Sequence, residues 1–180
     1  MIETHPAAII IRMTSIPTLR TKRLILRAPE ASDFPVYRDF YSDGAASCFY
    51  GGPLDASQAW RRLAQDIGHW ALRGHGMWAI AEQEAKSMIG ACGIVQPEGW
   101  PRHELSWWIV PSARRRGYAE EASRAIIRWA ASVLGWSAVE THIRDENFAA
   151  RSLAIKLGGQ VIAREEFPDG IVRDVFAIRG

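Results

Sequence analysis

With 180 residues, 48% of them hydrophobic and 23% charged, the chain has the length and ordinary composition of one globular domain, which excludes a mostly disordered protein. A formal net charge of only +2 leaves it without the one-sided lysine and arginine excess of a general nucleic-acid binder. Cys48 and Cys92 are the only cysteines and lie far apart, as expected of reduced, partly buried thiols in an intracellular protein; the five histidines show no zinc-type spacing, so no metal is expected.

Residues 1–15 read as a loose arm, with Met13 a candidate natural start, ahead of a single domain over 16–180. The apolar run Ala7–Ile11 is too short to span a bilayer and lacks the basic start of a secretory signal, so the expectation is a cytoplasmic protein without membrane contact. Leu19–Arg27 alternates as a half-buried strand, with Leu24 and Leu26 facing one way. Ser32 caps a helix over Asp33–Asp43. Asp55 or Ser57 caps a second helix to Arg73, with Trp60, Leu63, Ala64, Ile67 and Ala71 as its apolar stripe, ended at Gly74–Gly76. Met77–Gln83 and Ser87–Val95 form a hairpin about Glu84–Lys86. Glu104–Val110 is a continuous apolar run, suited to a central strand and stopped by Pro111. Gly117 to Leu134 is helical, its stripe running from Ala119 through Ala122, Ile126, Trp129 and Ala130 to Val133. Ser137–Arg144 is a strand, Asn147–Leu157 a helix stopped by Gly158–Gly159, and Val161–Phe167 with Ile171–Ile178 a last hairpin about Asp169–Gly170. This order predicts a mixed α/β fold with helices on both faces of a sheet.

The chemistry concentrates between Glu104 and Gly159. A central strand runs into Arg114-Arg115-Arg116-Gly117-Tyr118-Ala119, inside which a helix begins. A helix start carries unpaired N–H groups and the positive end of the dipole, a ready anion site, and Gly117 lets the backbone approach an anion closely. The competing reading of the same residues is a solvated charge run and a plain helix start. Neither a Walker loop nor a GxGxxG fingerprint is present.

Arg114-x-x-Gly117-x-Ala119 resembles the GNAT superfamily signature Q/R-x-x-G-x-G/A, between fourth strand and third helix. Asn147 to Gly158 is similar to that family's "N…EKLGF" segment, and Arg20–Arg27 to the first strand of its ribosomal-protein N-terminal acetyltransferase subgroup. The three matches span nearly the whole chain. The resemblance implies a mostly antiparallel, twisted sheet of about seven strands, splayed between strands 4 and 5, with a bulge near Trp107–Ile109. It implies acetyl-coenzyme A as co-substrate. The amides of Arg115, Arg116, Gly117, Tyr118 and Ala119 would hold its pyrophosphate beside the Arg114 charge, the main chain of Trp108–Val110 would pair with pantetheine, and Asn147 would hydrogen-bond it. The Ile109 N–H would polarise the thioester carbonyl, and Glu104 is the candidate base through water, with His103 and His142 behind it. The family's usual proton donors are a Ser or a Tyr, three or seven residues after the Asn; here Ala150 and Ala154 stand there.

The implied function is transfer of an acetyl group to a primary amine, on a small molecule or a protein N-terminus. The two missing donors keep a non-catalytic acyl-coenzyme A-binding module as the alternative, and the protomer count, monomer or homodimer, stays open. Tyr50, Trp70, Trp78 and Trp100, with Phe49 and His69, are expected to line the acceptor pocket, and Asp43, Asp66 and Glu82 are placed as acids that could attract a cation. Trp60, Trp129 and Trp136 are assigned to the core.

Overall fold

Apolar side chains on both sides of the central strands demand helices on both faces of the sheet. The computed structural model describes residues 16–180; the arm expected over residues 1–15 lies outside them. The expected first strand is two short ones, β1 (Leu19–Arg20) and β2 (Leu24–Arg27), antiparallel about a turn in which Thr21 Oγ1 accepts from the Leu24 N–H at 3.0 Å. Leu24 and Leu26 are fully buried.

A 3-10 turn over Ala31–Asp33 leads into α1 (Phe34–Ser42), so Ser32 lies within the turn and does not cap. Asp33 organises this corner: it accepts from the Glu30 N–H at 2.9 Å and from the Arg27 guanidinium at 2.6 and 2.8 Å. Asp43 caps the short α2 (Gly44–Ser47). Asp55 caps α3 (Ala56–Arg73) in a reciprocal box with Gln58, and Gly74 ends it in the left-handed conformation. The buried face of α3 is Ala59, Leu63, Asp66, His69 and Trp70. Ala64 and Ala71 face solvent, and Trp60 is 48% exposed, edge-on to Phe34 at 5.2 Å. The apolar stripe therefore mislocated this face, because two of its inward positions carry an acid and a histidine that periodicity counts as polar.

β3 (Met77–Glu82) and β4 (Met88–Val95) form the expected hairpin, and β5 (Glu104–Ile109) follows. A 3-10 turn over Pro111–Ala113 precedes α4 (Tyr118–Trp129). A π-helical turn over Ala130–Leu134 then shifts the phase of the buried stripe, leaving Val133 63% exposed. β6 (Ala138–Ile143), α5 (Phe148–Lys156), β7 (Gln160–Glu166) and β8 (Val172–Arg179) complete the fold.

The strands form a five-stranded antiparallel sheet, β1-β2-β3-β4-β5, and a three-stranded one, β6-β8-β7. The break falls between β5 and β6, the splay expected between the fourth and fifth of seven strands once β1 and β2 are counted together. α4 and α5 cover one face, with Trp107, Ile109, Ala122, Ile126 and Ala154 in one core cluster. α1 and α3 cover the other, where Trp108 stacks on Phe40 at 4.3 Å. Trp107 and Trp108 thus serve opposite faces, as neighbours on a strand must.

Candidate active site

The loop before α4 is shaped to leave amides free. Gly117 sits at φ 81 as the N-cap, and Arg115 is also left-handed at φ 63. No side chain caps the helix, and its first intrahelical bond runs from Glu121 N to Gly117 O. Among the described residues, the N–H groups from Arg115 to Glu120 have no protein acceptor outside helix geometry, which itself offers none to the first turn. They border a cavity of about 520 Å³ lined by Arg115, Gly117–Glu120, Ala46, Ile109, Asn147 and α5 residues including Ala150. Arg114 is a brace: its Nε donates to Ile109 O at 2.9 Å and its Nη2 to Ala46 O at 3.0 Å. Arg116 points toward Glu82 at 3.9 Å, and the Tyr118 hydroxyl donates to the same Glu82. The positive charge at the cavity is therefore Arg115, the bracing Arg114, which bonds only main-chain carbonyls, and the helix dipole, while Arg116 turns away.

The floor of this cavity is the open edge of β5. Val110 N donates to Ile89 O at 2.9 Å, and the register pairs Ala91 with Trp108 and Gly90 with Ile109. Antiparallel ladders alternate bonded and non-bonded pairs, so Trp108 and Ser106 turn their main-chain groups to β4, while Leu105, Trp107 and Ile109 turn theirs toward β6. No ladder joins β5 to β6. The Val110 carbonyl is taken by Ala113 N, at 2.9 Å. The strip of main chain open to a ligand is thus Trp107 and the Ile109 N–H, the Ile109 carbonyl being held by Arg114, and the expected Trp108 and Val110 are already spent. The expected bulge near Trp107–Ile109 is absent from the β4–β5 register, which is regular; the shift lies one strand over, between β3 and β4.

A second cavity, of about 330 Å³, opens on the other side of Trp107. Phe49, Tyr50, Trp107, Asn147 and Ala150 line both cavities and mark their junction. Glu104 lines the second, its Oε2 3.7 Å from Nδ1 of His142. The His142 ring is fully buried, packs on Phe167 at 4.6 Å, and has no hydrogen-bond partner on either nitrogen among the described residues. Glu140, 3.9 Å from the other nitrogen, is held by Arg102, which also clamps Glu165. Glu104 is thus the carboxylate of this group that no arginine or lysine pairs among the described residues. Deeper in, Asp66 accepts from Tyr37 at 2.8 Å and has no ion pair among the described residues. Burial pushes its carboxyl up to about 7, offset only in part by the Tyr37 hydroxyl and the Arg62 charge.

Of the expected acceptor residues, Tyr50 and Trp100 line this cavity. Trp70 and Trp78 do not: they meet edge to face at 4.4 Å in the core, their indole N–H groups spent on Met77 O and Pro17 O. His69 is structural, bridging His75 O and Gln96 N, and His103 stacks on Trp136 outside both cavities. Of the cation-attracting acids only Asp66 lies in the cavity, since Asp43 caps α2 and Glu82 takes Tyr118. Asn147 caps α5, its Oδ1 accepting from Ala150 N at 3.1 Å, which leaves its amide NH₂ for a ligand. Ala154, fully buried, lines neither cavity. Cys92 is buried, with its thiol pushed up to about 12, while Cys48 is exposed, contrary to the expectation of two partly buried thiols. Among the described residues no helix is long and apolar enough to cross a membrane, and no group of three acids, histidines or cysteines is placed to hold a metal ion.

The acetyltransferase (GNAT) domain family matches residues 23–160. The chain is 33% identical to an acetyltransferase from Agrobacterium tumefaciens of known crystal structure, with a TM-score of 0.84 over 92% of this chain and 96% of that one. It is 29% identical to the "uncharacterized N-acetyltransferase p20" of Bacillus licheniformis, over 91% of this chain and 89% of that protein, and 26% identical to N-acetyltransferase YoaA of Bacillus subtilis, over 80% and 83%. The ribosomal L7/L12 α-N-protein acetyltransferase RimL, solved in complex with coenzyme A, shares the fold, with a TM-score of 0.73 over 91% of this chain and 98% of that one at 15% identity. With the free amides of the α4 start, the split sheet and this kinship together, the chain belongs to the GNAT family and is an acetyl-coenzyme A-dependent N-acetyltransferase.

Proposed function

We propose that acetyl-coenzyme A occupies the larger cavity and the amine acceptor the smaller, and that the acetyl group passes between them at the junction beside Trp107. The observation that carries this is the set of unclaimed amides from Arg115 to Glu120, at the mouth of a cavity whose floor is the unpaired edge of β5. Those amides and the helix dipole suit a pyrophosphate. The Trp107 main chain and the Ile109 N–H suit an extended amide-bearing arm such as pantetheine, laid down like an added strand. The Asn147 NH₂ is the side-chain donor at hand for it.

In this reading the Ile109 N–H donates to the thioester carbonyl and stabilises the oxyanion as the amine attacks; the strand holds that donor in place beforehand, so no reorganisation is needed. Glu104 accepts the amine proton through a water, with the buried His142 imidazole 3.7 Å behind it to share the charge. The acceptor is a primary amine compact enough for a cavity of about 330 Å³, where Tyr50 is the aromatic at hand; Arg62 and Arg173 already lie over the Tyr41 and Trp100 rings, at 5.6 and 5.4 Å. A small-molecule amine fits this description better than a protein N-terminus does.

The test is thiol release from acetyl-coenzyme A with an amine library that includes small mono- and diamines and N-terminal peptides. Turnover with small amines supports the assignment. Tight cofactor binding with no amine ever acetylated would favour the acyl-coenzyme A-binding module instead.

A further inference from the structure

The usual proton donors of the family are replaced by Ala150, which lines the junction without a hydroxyl, and Ala154, which is sealed in the core. The structure offers a different group from a different element. Of the residues shared by both cavities, Phe49 and Ala150 carry no polar hydrogen, Trp107 has an indole N–H and Asn147 an amide; only Tyr50 has an acidic one. Tyr50 comes from the loop between α2 and α3, packs its ring against Phe40 at 5.5 Å, and has no hydrogen-bond partner for its hydroxyl among the described residues. That hydroxyl is nevertheless not sealed from solvent as the orphaned Trp108 indole is. Within electrostatic reach lie Arg114 on the side of the phosphate loop and Glu104 on the acceptor side, with the thiols of Cys48 and Cys92 as its other titratable neighbours.

We propose that Tyr50 is the hydrogen-bond donor to the departing sulfur of coenzyme A. The proposal rests on the junction being the seat of the thioester. As the C–N bond forms and the C–S bond breaks, the electron pair stays on sulfur and is stabilised there by the Tyr50 O–H. The proton lost by the amine leaves through water to Glu104 and then to solvent. Burial pushes the phenol up to about 12, against the lowering effect of the Arg114 charge. A thiol titrates near ~8.5. The phenol therefore keeps its proton, and Tyr50 acts by hydrogen bonding the thiolate, without handing the proton over. A hydrogen bond to a charged group is sufficient for about 10- to 100-fold.

An equilibrium measurement tests this without turnover. The thiol of bound coenzyme A is titrated by thiolate ultraviolet absorbance in the wild type and in Tyr50→Phe, with desulfo-coenzyme A binding measured in both as a control. The expected result is a bound thiol about one to two pH units more acidic in the wild type, corresponding to that 10- to 100-fold, with unchanged desulfo-coenzyme A affinity. Replacing Tyr50 by a fluorinated tyrosine, a stronger donor of nearly the same shape, lowers the thiol further and serves also where Tyr50→Phe does not fold. Equal thiol titration in all three proteins overturns the proposal. Failure of the wild type to bind desulfo-coenzyme A at all overturns the placement of the cofactor itself, a different outcome.

Discussion

At the scale of single residues, two carboxylates in one cavity have been given opposite tasks by their surroundings. Glu104 sits at the start of β5 beside an imidazole and without a cationic partner among the described residues, so it is free to take a proton. Glu104→Gln keeps the shape and removes the proposed base; kcat is expected to fall about 100-fold or more, with acetyl-coenzyme A affinity retained in calorimetry. Asp66 is buried, and its folded pKa of about 7 lies above the ~3.9 of an unfolded Asp. The protonated form is the one the fold favours. Its stabilising contribution is therefore complete below pH ~4 and is lost as pH rises to about 7, by at most about 4 kcal/mol. Urea unfolding of the wild type and Asp66→Asn at pH 4.5 and 7.5, values chosen at about the two ends of that window, gives a stability difference that grows with pH in favour of Asn. A difference independent of pH would show that Asp66 titrates normally.

At the scale of elements, the start of α4 and the start of α3 make a useful pair. Asp55 caps α3 in the ordinary way, and Asp55→Ala is expected to cost about 1 kcal/mol of stability with no change in cofactor affinity. α4 has a left-handed glycine in place of a capping side chain, and its free amides face the cavity. Gly117→Ala forces an L-residue to φ 81, at about 1 to 2 kcal/mol, and tilts those amides. Acetyl-coenzyme A affinity measured by calorimetry is expected to weaken at least about 10-fold, the worth of one lost charge-assisted bond. Boundaries of the elements were largely legible in the sequence, since Asp55, Gly74, Pro111, Gly117 and Gly158 each carry a specific backbone meaning. The buried face of α3 was not: Asp66 and His69 are core-facing, and a hydrophobic stripe can only mark positions filled by hydrophobic residues.

At the scale of the whole molecule, the active region exists because two sheets part between β5 and β6, with cavities on either side of Trp107. A ligand that bridges β5, α4 and α5 ties together elements the sheet itself leaves unjoined. Acetyl-coenzyme A at about 100 times its dissociation constant stabilises the fold by about 2.7 kcal/mol, a rise in melting temperature of about 5 to 10 °C for a chain of this size. Adenosine alone, which lacks the pyrophosphate and the pantetheine arm, should give less than half of that shift at the same concentration.

By itself the sequence determined the element order, the strand that ends at Pro111 and the helix start at Gly117, because these follow from local backbone rules, and it pointed to the family through the resemblance of its motifs. Only the tertiary structure decided which main-chain groups of β5 are free, that Arg114 braces the loop, that Trp70 and Trp78 are core, and that Tyr50, His142 and Asp66 join Glu104 in the lining of one cavity. Those facts depend on strand register and on contacts between residues tens of positions apart, and a hydrogen bond already made within the fold leaves no mark on the order of the residues that make it.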